Sequence, residues 1–237
     1  MDKIAKLQEM IDASKNIVFF GGAGVSTDSG IKDFRGSNGI YKEKNEYPPE
    51  YLLSSDCFYN DTELFYKFYK KSMNCLDAKP NKAHEYLKKL EDQGKLKAIV
   101  TQNIDGLHQK AGSKKVYEIH GTIYSNHCVK CHKYYDANEV FTADGIPRCS
   151  CGGIIKPDVT LYGEMLPEDY VKAIVAIGEA DMLIVAGTSL VVEPASSLIN
   201  YFNGKYLVII NYDETRYDNR ANLVINDGIS NVFSKLK

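Results

Sequence analysis

The hydrophobic positions along the chain alternate between short apolar runs and longer segments with helical spacing. Strands are predicted for the apolar runs at residues 16–20, 95–101, 116–119, 181–186, 205–210 and 223–225. Helices are predicted for residues 2–14, 63–73, 81–93, 167–178, 195–202 and 228–236, and residues 36–61 are irregular. Strands that alternate with helices are typical of a parallel sheet covered on both faces. The pattern therefore predicts an α/β fold.

Small or hydrogen-bonding residues follow five of the predicted strands. These strand ends are Gly21-Gly22-Ala23-Gly24, Gln102-Asn103-Ile104-Asp105, His120-Gly121, Gly187-Thr188-Ser189 and Asn211-Tyr212-Asp213. Ligands bind at the carboxyl ends of parallel strands, so we expect these residues to line one crevice. The glycines let the backbone approach a ligand, and we expect free N–H groups of the first turn to hold a phosphate. The sequence therefore predicts a nucleotide site.

The glycine turn departs from the common dinucleotide fingerprint. Thr27 stands at the position of the third glycine. No Asp or Glu closes a second strand about twenty residues on, where a Rossmann dehydrogenase holds its ribose. Many α/β turns need glycine for their geometry alone, so the turn by itself does not establish a nucleotide site.

Composition and charge exclude several classes of function. The chain has 237 residues, 25% of them charged and 44% hydrophobic, which is typical of a globular protein with one large domain or one large and one small. A net charge of −2 gives no general attraction to nucleic acid or to a membrane surface. The first residues form an amphipathic pattern rather than a signal peptide, and no apolar run approaches a membrane span. We therefore expect a cytoplasmic protein.

Four of the six cysteines form two close pairs, with the spacing Cys128-x2-Cys131-x17-Cys149-x-Cys151. Thiols are kept reduced in the cytosol, and a tight cluster there is more typical of a metal site than of disulfides. Four thiolates suit a structural zinc with a closed tetrahedral shell, although four unrelated thiols remain an alternative. His127 and His132 flank the first pair, and we interpret both as bystanders that point outwards.

Taken together, these residues resemble the sirtuin family of NAD-dependent protein deacylases, in its bacterial type. The matching segments run in the family's order from residue 21 to about residue 230. They are Gly22–Ser26, Gly30–Arg35, Thr101–His108, His120-Gly121, the cysteine pairs, Lys156–Asp158 and Tyr162–Glu164, Gly187–Ser189 and Asn211. The chain departs from the family pattern at Lys32, where proline is usual, and in its short second cysteine pair.

The resemblance implies a fold with two parts and a reaction that consumes NAD. A Rossmann-like large domain would comprise residues 1–35, 77–121 and 157–237. A small domain would combine a helical insert, residues 36–76, with a zinc-binding ribbon, residues 122–156. NAD would be a co-substrate and one zinc would be structural. The acyl group of an acetyl-lysine protein or peptide would pass to ADP-ribose as nicotinamide leaves, without nucleic acid or membrane as a partner.

The resemblance also implies roles for individual residues. His120 would be the general base, since an unperturbed histidine pKa of about 6.5 suits that task, and Asn103 and Asp105 would also be catalytic. NAD contacts are expected from Gly22, Ala23, Gly24, Thr27, Phe34, Arg35, Gln102, Asn103, Ile104, Asp105, His120, Gly187, Thr188, Ser189, Asn211, Asp213 and Ile229. The substrate peptide is expected to lie between two extended segments, 159–164 and 190–193, and to contact Val159, Leu161, Tyr162, Gly163, Glu164 and Val191.

Several alternatives stay open at this point. The chain could hold NAD or ADP-ribose without turnover, transfer ADP-ribose to protein, or be a Rossmann oxidoreductase, which Thr27 and the missing acidic residue disfavour. A lone histidine such as His120 is often a core residue satisfied by backbone; we interpret His84 as structural and assign no role to His108. No arginine lies between residues 36 and 147, so we expect neutral acyl groups to be preferred over succinyl.

Overall fold

A computed structural model describes residues 2–36 and 39–237 of the chain. Its strands are β1 Ile17–Gly21, β2 Leu96–Thr101, β3 Val116–Glu118, β4 Gly121–Cys128, β5 Tyr134–Tyr135, β6 Ile155–Val159, β7 Met182–Ala186, β8 Tyr206–Ile210 and β9 Leu223–Ile225. Six of them form a sheet in the order β3-β2-β1-β7-β8-β9, in which every neighbouring pair is parallel. The predicted α/β fold with a parallel sheet is therefore confirmed.

The helices cover both faces of this sheet and form an insert beside it. They are α1 Lys3–Ala13, α2 Pro49–Leu52, α3 Ser55–Asn60, α4 Thr62–Met73, α5 Lys82–Asp92, α6 Leu107–Lys110, α7 Ala137–Thr142, α8 Asp169–Gly178 and α9 Ile229–Phe233. The helix predicted at 195–202 is present as a 3-10 helix, Ala195–Tyr201. Its first turn holds Ser196 and Ser197, whose hydroxyls bond to the side chains of Arg216 and Glu193.

The segment predicted to be irregular, 36–61, contains two short helices. Helix α2 begins with Pro49 in its first turn, and Ser54 caps α3 by accepting a hydrogen bond from the Cys57 N–H. Helices of four and six residues bury too few apolar positions to give a readable period. Residues 37 and 38 of this segment lie outside the described residues.

Strand β1 is buried on both faces of the sheet. Ile17 and Phe19 belong to the core under α1, α5 and α9, whereas Val18 and Phe20 belong to the core under α8 and the 3-10 helix. Alternate residues of a strand point to opposite faces, so this continuous apolar run is what a central parallel strand requires.

A second sheet is antiparallel, in the order β5-β4-β6, and carries the cysteine pairs at one end. A third core joins this sheet to the insert helices, with Phe58 and Phe65 from α3 and α4 and Ile123 and Ile155 from β4 and β6. The predicted domain boundary at residue 156 falls inside β6. The division into two domains with the stated bounds stays a prediction.

Within the described part of the chain, no helix combines the length and the apolar composition that a membrane crossing needs.

Candidate active site

The carboxyl ends of β1, β2, β7 and β8 open into a cleft of about 1350 Å³. Its opposite wall comes from the insert and from the chain after β6. Every residue for which an NAD contact is expected lies on the wall of this cleft, and so do five of the six residues expected to contact the peptide. The convergence of the strand ends on one crevice is therefore a feature of the fold, whereas the role of each residue stays a prediction.

Two glycine turns pack against each other at the floor of the cleft. A Cβ atom on Gly22 would lie 2.8 Å from the carbonyl oxygen of Gly187, and one on Gly24 would lie 2.8 Å from the Gly187 Cα. Gly187 itself has φ of +59°, which disfavours any side chain. Side chains on Gly22 and Gly24 would collide with the turn after β7, so both positions require glycine.

Four N–H groups of the first turn are used within the protein. The Gly22 N–H donates to the Ala186 carbonyl over 3.1 Å, and the Gly24 N–H donates to the Gly187 carbonyl over 2.9 Å. Those of Val25 and Ser26 donate to carbonyls inside the turn. Gly22 and Gly24 therefore supply no free N–H group, because the end of β7 and the turn after it accept their hydrogen bonds. A phosphate site at this turn stays a prediction.

His120 follows β3 and faces the cleft. Its Nδ1 atom lies 3.1 Å from the carbonyl oxygen of Gln102. A carbonyl can only accept, so Nδ1 carries the proton and Nε2 keeps a lone pair in the neutral ring. Burial lowers the pKa of His120 below its ordinary value, against the opposing effect of the Gln102 carbonyl. The side chain is thus a neutral imidazole at neutral pH, as a proton acceptor must be.

Ser26 joins two of the candidate catalytic residues. Its hydroxyl donates to Asp105 Oδ2 over 2.6 Å and accepts from Asn103 Nδ2 over 3.0 Å. The other Asp105 oxygen accepts from the Leu107 N–H over 2.9 Å. All three polar side chains are buried. No role was expected for Ser26, although it follows the glycine turn directly and ends the matching segment Gly22–Ser26.

Phe34 and Arg35 lie on the cleft wall, in the loop after a short 3-10 helix, Thr27–Ser29. The Arg35 guanidinium carbon lies 4.5 Å from the ring centroid of Tyr41, and its NH2 nitrogen lies 3.8 Å from a Glu50 carboxylate oxygen. Lys32, the unusual residue of this loop, forms an ion pair of 2.6 Å with Glu43. This ion pair joins the exposed Lys32, at the start of the loop, to the partly buried Glu43, which follows the loop.

The chain after β6 forms the part of the wall where the peptide is expected. Leu161, Tyr162, Gly163 and Glu164 line it, and Glu164 accepts hydrogen bonds from the Leu161 N–H over 2.9 Å and from Lys156 Nζ over 3.1 Å. This carboxylate holds the segment in a compact turn.

The second expected peptide segment differs from its prediction. Leu190 has φ of +53°, in the left-handed region, so residues 190–193 are not extended throughout. Val191 is 51% exposed and does not line the cleft, whereas its neighbour Val192 does. The change of backbone direction at Leu190 shifts which valine faces the cleft.

The four cysteines of the two pairs meet at one point. Their Sγ atoms all lie within 4.8 Å of one another, and the separations Cys128–Cys151 and Cys131–Cys149 are each 3.5 Å. Sulfurs bound tetrahedrally to zinc at about 2.3 Å lie roughly 3.8 Å apart. A Cβ atom on Gly153 would lie 2.6 Å from Cys128 Sγ, so only glycine fits beside the cluster. The residues fit a structural zinc, and the predicted metal cluster is confirmed.

His84, His108 and His127 do not line the cleft. His127 Nδ1 lies 2.7 Å from Asp158, not among the sulfurs. His84 and His108 are buried behind the glycine turn with ring centroids 4.7 Å apart, and burial lowers the pKa of His84 to about 4. Neither of these two rings lines the cleft. They are core residues of this structure.

Comparison with known proteins gives concordant results. The model of the Sir2 family matches residues 22–194. An NAD-dependent protein deacetylase of Clostridium acetobutylicum is 56% identical over 98% of this chain and 97% of its own length. One of Clostridium perfringens is 55% identical over 99% of this chain and 98% of its own.

Solved structures agree over the same length. A Sir2 complex with a deacetylated p53 peptide and 3′-O-acetyl-ADP-ribose has a TM-score of 0.92 at 40% identity and covers 98% of this chain and 96% of that one. A Sir2 complex with a p53 peptide and NAD⁺ has a TM-score of 0.87 at 38% identity, with 99% and 97% covered.

Proposed function

The chain belongs to the Sir2 family, and from this premise we propose that it is an NAD-dependent protein-lysine deacetylase. The reaction transfers the acyl group of an acyl-lysine to ADP-ribose, releases nicotinamide and consumes one water. The observation that carries the proposal is the identity of 56% to a protein deacetylase over 98% of this chain. The solved relatives bind a p53 peptide together with NAD⁺ or an acetylated ADP-ribose, which supports both substrates.

His120 is the general base of the proposed reaction. Its Nε2 lone pair accepts the proton of a ribose hydroxyl, so that this oxygen can attack the carbon of the acyl group. The Gln102 carbonyl fixes the tautomer that makes Nε2 the acceptor. The lowered pKa keeps the ring unprotonated at neutral pH, which supports this role.

Asn103 and Asp105 orient the nicotinamide half of NAD. The Asp105 carboxylate accepts from the carboxamide of nicotinamide, and the Asn103 amide orients ribose or water. Ser26 holds both side chains in place, since its hydroxyl bonds to each of them. A buried network of this kind is rigid, and rigid polar groups orient a substrate without having to reorganise.

The other residues expected to contact NAD or the peptide carry groups that suit the parts of the ligand they would bind. Phe34 shields the reacting carbon from water, and Arg35 pairs with the pyrophosphate. Ser189 and Asn211 suit phosphate and the adenosine ribose. The segment after β6 binds the substrate peptide through its backbone, which tolerates many sequences. Cys128, Cys131, Cys149 and Cys151 would hold the zinc, which would stabilise the antiparallel sheet that leads into this segment.

The proposal also covers the acyl group that is preferred, the bounds of the two domains and the location of the protein in the cell. Neutral acyl groups are preferred over succinyl, because the sequence has no arginine between residues 36 and 147 to pair with a second carboxylate. The large domain comprises 1–35, 77–121 and 157–237, and the small domain 36–76 and 122–156. The reduced four-cysteine cluster suits the cytoplasm.

One assay tests the function. The purified, zinc-loaded protein is incubated with NAD and an acetyl-lysine peptide, and products are followed by mass spectrometry. Nicotinamide, deacetylated peptide and O-acetyl-ADP-ribose are expected in equal amounts. A peptide that gains ADP-ribose would indicate a mono-ADP-ribosyltransferase. NAD that binds but stays intact would indicate a binding module, and either result would contradict the proposal.

A further inference from the structure

The loop that carries Phe34 and Arg35 is closed on itself by backbone hydrogen bonds. We call residues 33–36 and 39–41 the Phe34 loop. The Ile40 N–H donates to the Asp33 carbonyl and the Tyr41 N–H to the Phe34 carbonyl, each over 2.9 Å. Because the backbones of Tyr41 and Phe34 are bonded to each other, a displacement of Tyr41 is transmitted to Phe34.

The side chain of Tyr41 also contacts both residues that the proposed function places on NAD. Its ring centroid lies 5.9 Å from that of Phe34 and 4.5 Å from the guanidinium carbon of Arg35. The second contact has cation–π geometry, which favours one orientation of the guanidinium. The position of the Tyr41 ring therefore helps to set where Phe34 and Arg35 lie in the cleft.

The hydroxyl of Tyr41 is bonded to the other segment that forms this wall of the cleft. It lies 2.7 Å from the hydroxyl of Tyr162, in the segment after β6. Burial and the bond to Tyr162 raise the pKa of Tyr41 above its ordinary value, so this hydroxyl stays protonated and available as a donor.

Tyr162 is in turn held by its backbone. Its N–H donates to the Leu53 carbonyl and its carbonyl accepts from the Ser55 N–H, each over 3.0 Å. Two residues earlier, the Thr160 N–H donates to the His120 carbonyl over 2.8 Å. The same short segment thus contacts the candidate base at one end and the Phe34 loop at the other.

We propose that Tyr41 and Tyr162 are positioning residues that couple peptide binding to NAD binding through their hydroxyl pair. A peptide bound along the segment after β6 contacts Tyr162, Tyr162 holds Tyr41, and Tyr41 holds Phe34 and Arg35 against the dinucleotide. Coupling between two sites is reciprocal, so NAD strengthens peptide binding by the same factor. The inference rests on the proposed function, because that function assigns NAD to the Phe34 loop and the peptide to the segment after β6.

The test measures this coupling with ligands that cannot react. Calorimetry gives the Kd of ADP-ribose with and without a saturating acetyl-lysine peptide, and the ratio is the coupling factor. We expect the wild-type factor to exceed one, and Tyr41→Phe or Tyr162→Phe to reduce it about three- to tenfold, the worth of one hydrogen bond. The double variant should lose no more than either single variant, because both remove the same bond.

Tyr47→Phe is the matched control, since this tyrosine of the same insert packs on the Tyr51 ring. It should leave the coupling factor unchanged. In turnover, Tyr41→Phe should raise the KM for NAD and leave kcat at saturating NAD largely unchanged. A variant that only lost folded protein would instead have a lower kcat with an unchanged KM.

The outcomes separate the inference from the function. Wild-type protein that turns over both substrates but has a coupling factor of one would overturn the inference alone. The inference alone would also be overturned if the losses of coupling free energy in the two single variants summed in the double variant. Wild-type protein that binds neither ligand would overturn the proposed function and the inference with it.

Discussion

The Nδ1 atom of His120 lies 3.1 Å from the carbonyl oxygen of Gln102, the first residue after β2. This contact joins the ends of two neighbouring strands and fixes which imidazole nitrogen is protonated. The Gln102 side chain reaches the other way, donating to Thr188 Oγ1 over 3.0 Å after β7. One residue thus orients the candidate base and connects it to the turn that packs on the glycines.

The pH dependence of turnover should follow from the surroundings of His120. Burial lowers its pKa, so the ring stays neutral and competent as a base when the pH falls below about 6.5, the value of a free histidine. The acid limb of kcat/KM for an acetyl-lysine peptide should therefore have its midpoint below about 6.5. Melting curves at each pH separate this from unfolding. A midpoint above that value would contradict the assignment.

Ser26→Ala should impair turnover while the fold is kept. The change removes a donor from Asp105 and an acceptor from Asn103 at a buried site. A buried polar group left unsatisfied costs about 1–3 kcal/mol, and a loss of that size in transition-state binding lowers kcat/KM by about five- to 150-fold. Ser234→Ala, which removes an exposed hydroxyl from the end of the chain, is the control. Equal kinetics in the two variants would show that the Ser26 network does not orient the catalytic groups.

Removal of zinc should abolish turnover by loss of structure. Cys128 ends β4, and β4 pairs with β6, the strand that leads into the expected peptide segment. A structural zinc site contributes several kcal/mol, so Cys149→Ser or chelation should lower the melting temperature by more than about 10 °C. Metal analysis should find one zinc per chain before chelation. A zinc-free protein that melts and reacts like the wild type would exclude a structural role.

The acyl preference is open to a direct comparison. Acetyl- and succinyl-lysine peptides of the same sequence are compared by kcat/KM. The acetyl peptide should react at least about tenfold faster, because burying a carboxylate without a cationic partner is costly. A control with a propionyl peptide separates size from charge. Equal rates for acetyl and succinyl would overturn the prediction.

Structural features that depend on residues close together in the chain are predicted well from the sequence. The continuous apolar run of β1 predicts a central strand because both faces of that strand are buried. The cysteine spacing predicts the metal cluster because two tight turns can present only a few ligand geometries. The strand ends predict the cleft because parallel strands all end at the same edge.

The remaining features depend on contacts between distant parts of the chain. The Gly24 N–H is taken by Gly187, and Ser26 meets Asp105 from 79 residues away. The left-handed backbone at Leu190 decides that Val192, and not Val191, faces the cleft. None of these has a local pattern, since each arises only when the turns after different strands are packed together.

His120 is the proposed base of the acyl transfer in this cleft, and the rest of the proposed reaction depends on it. The most direct measurement is deacetylation of an acetyl-lysine peptide by His120→Ala, with NAD binding measured on the same sample. The variant should melt and bind NAD like the wild type, and its kcat should fall by about 10²- to 10⁴-fold. Near-normal turnover in a folded variant that binds NAD would contradict the account.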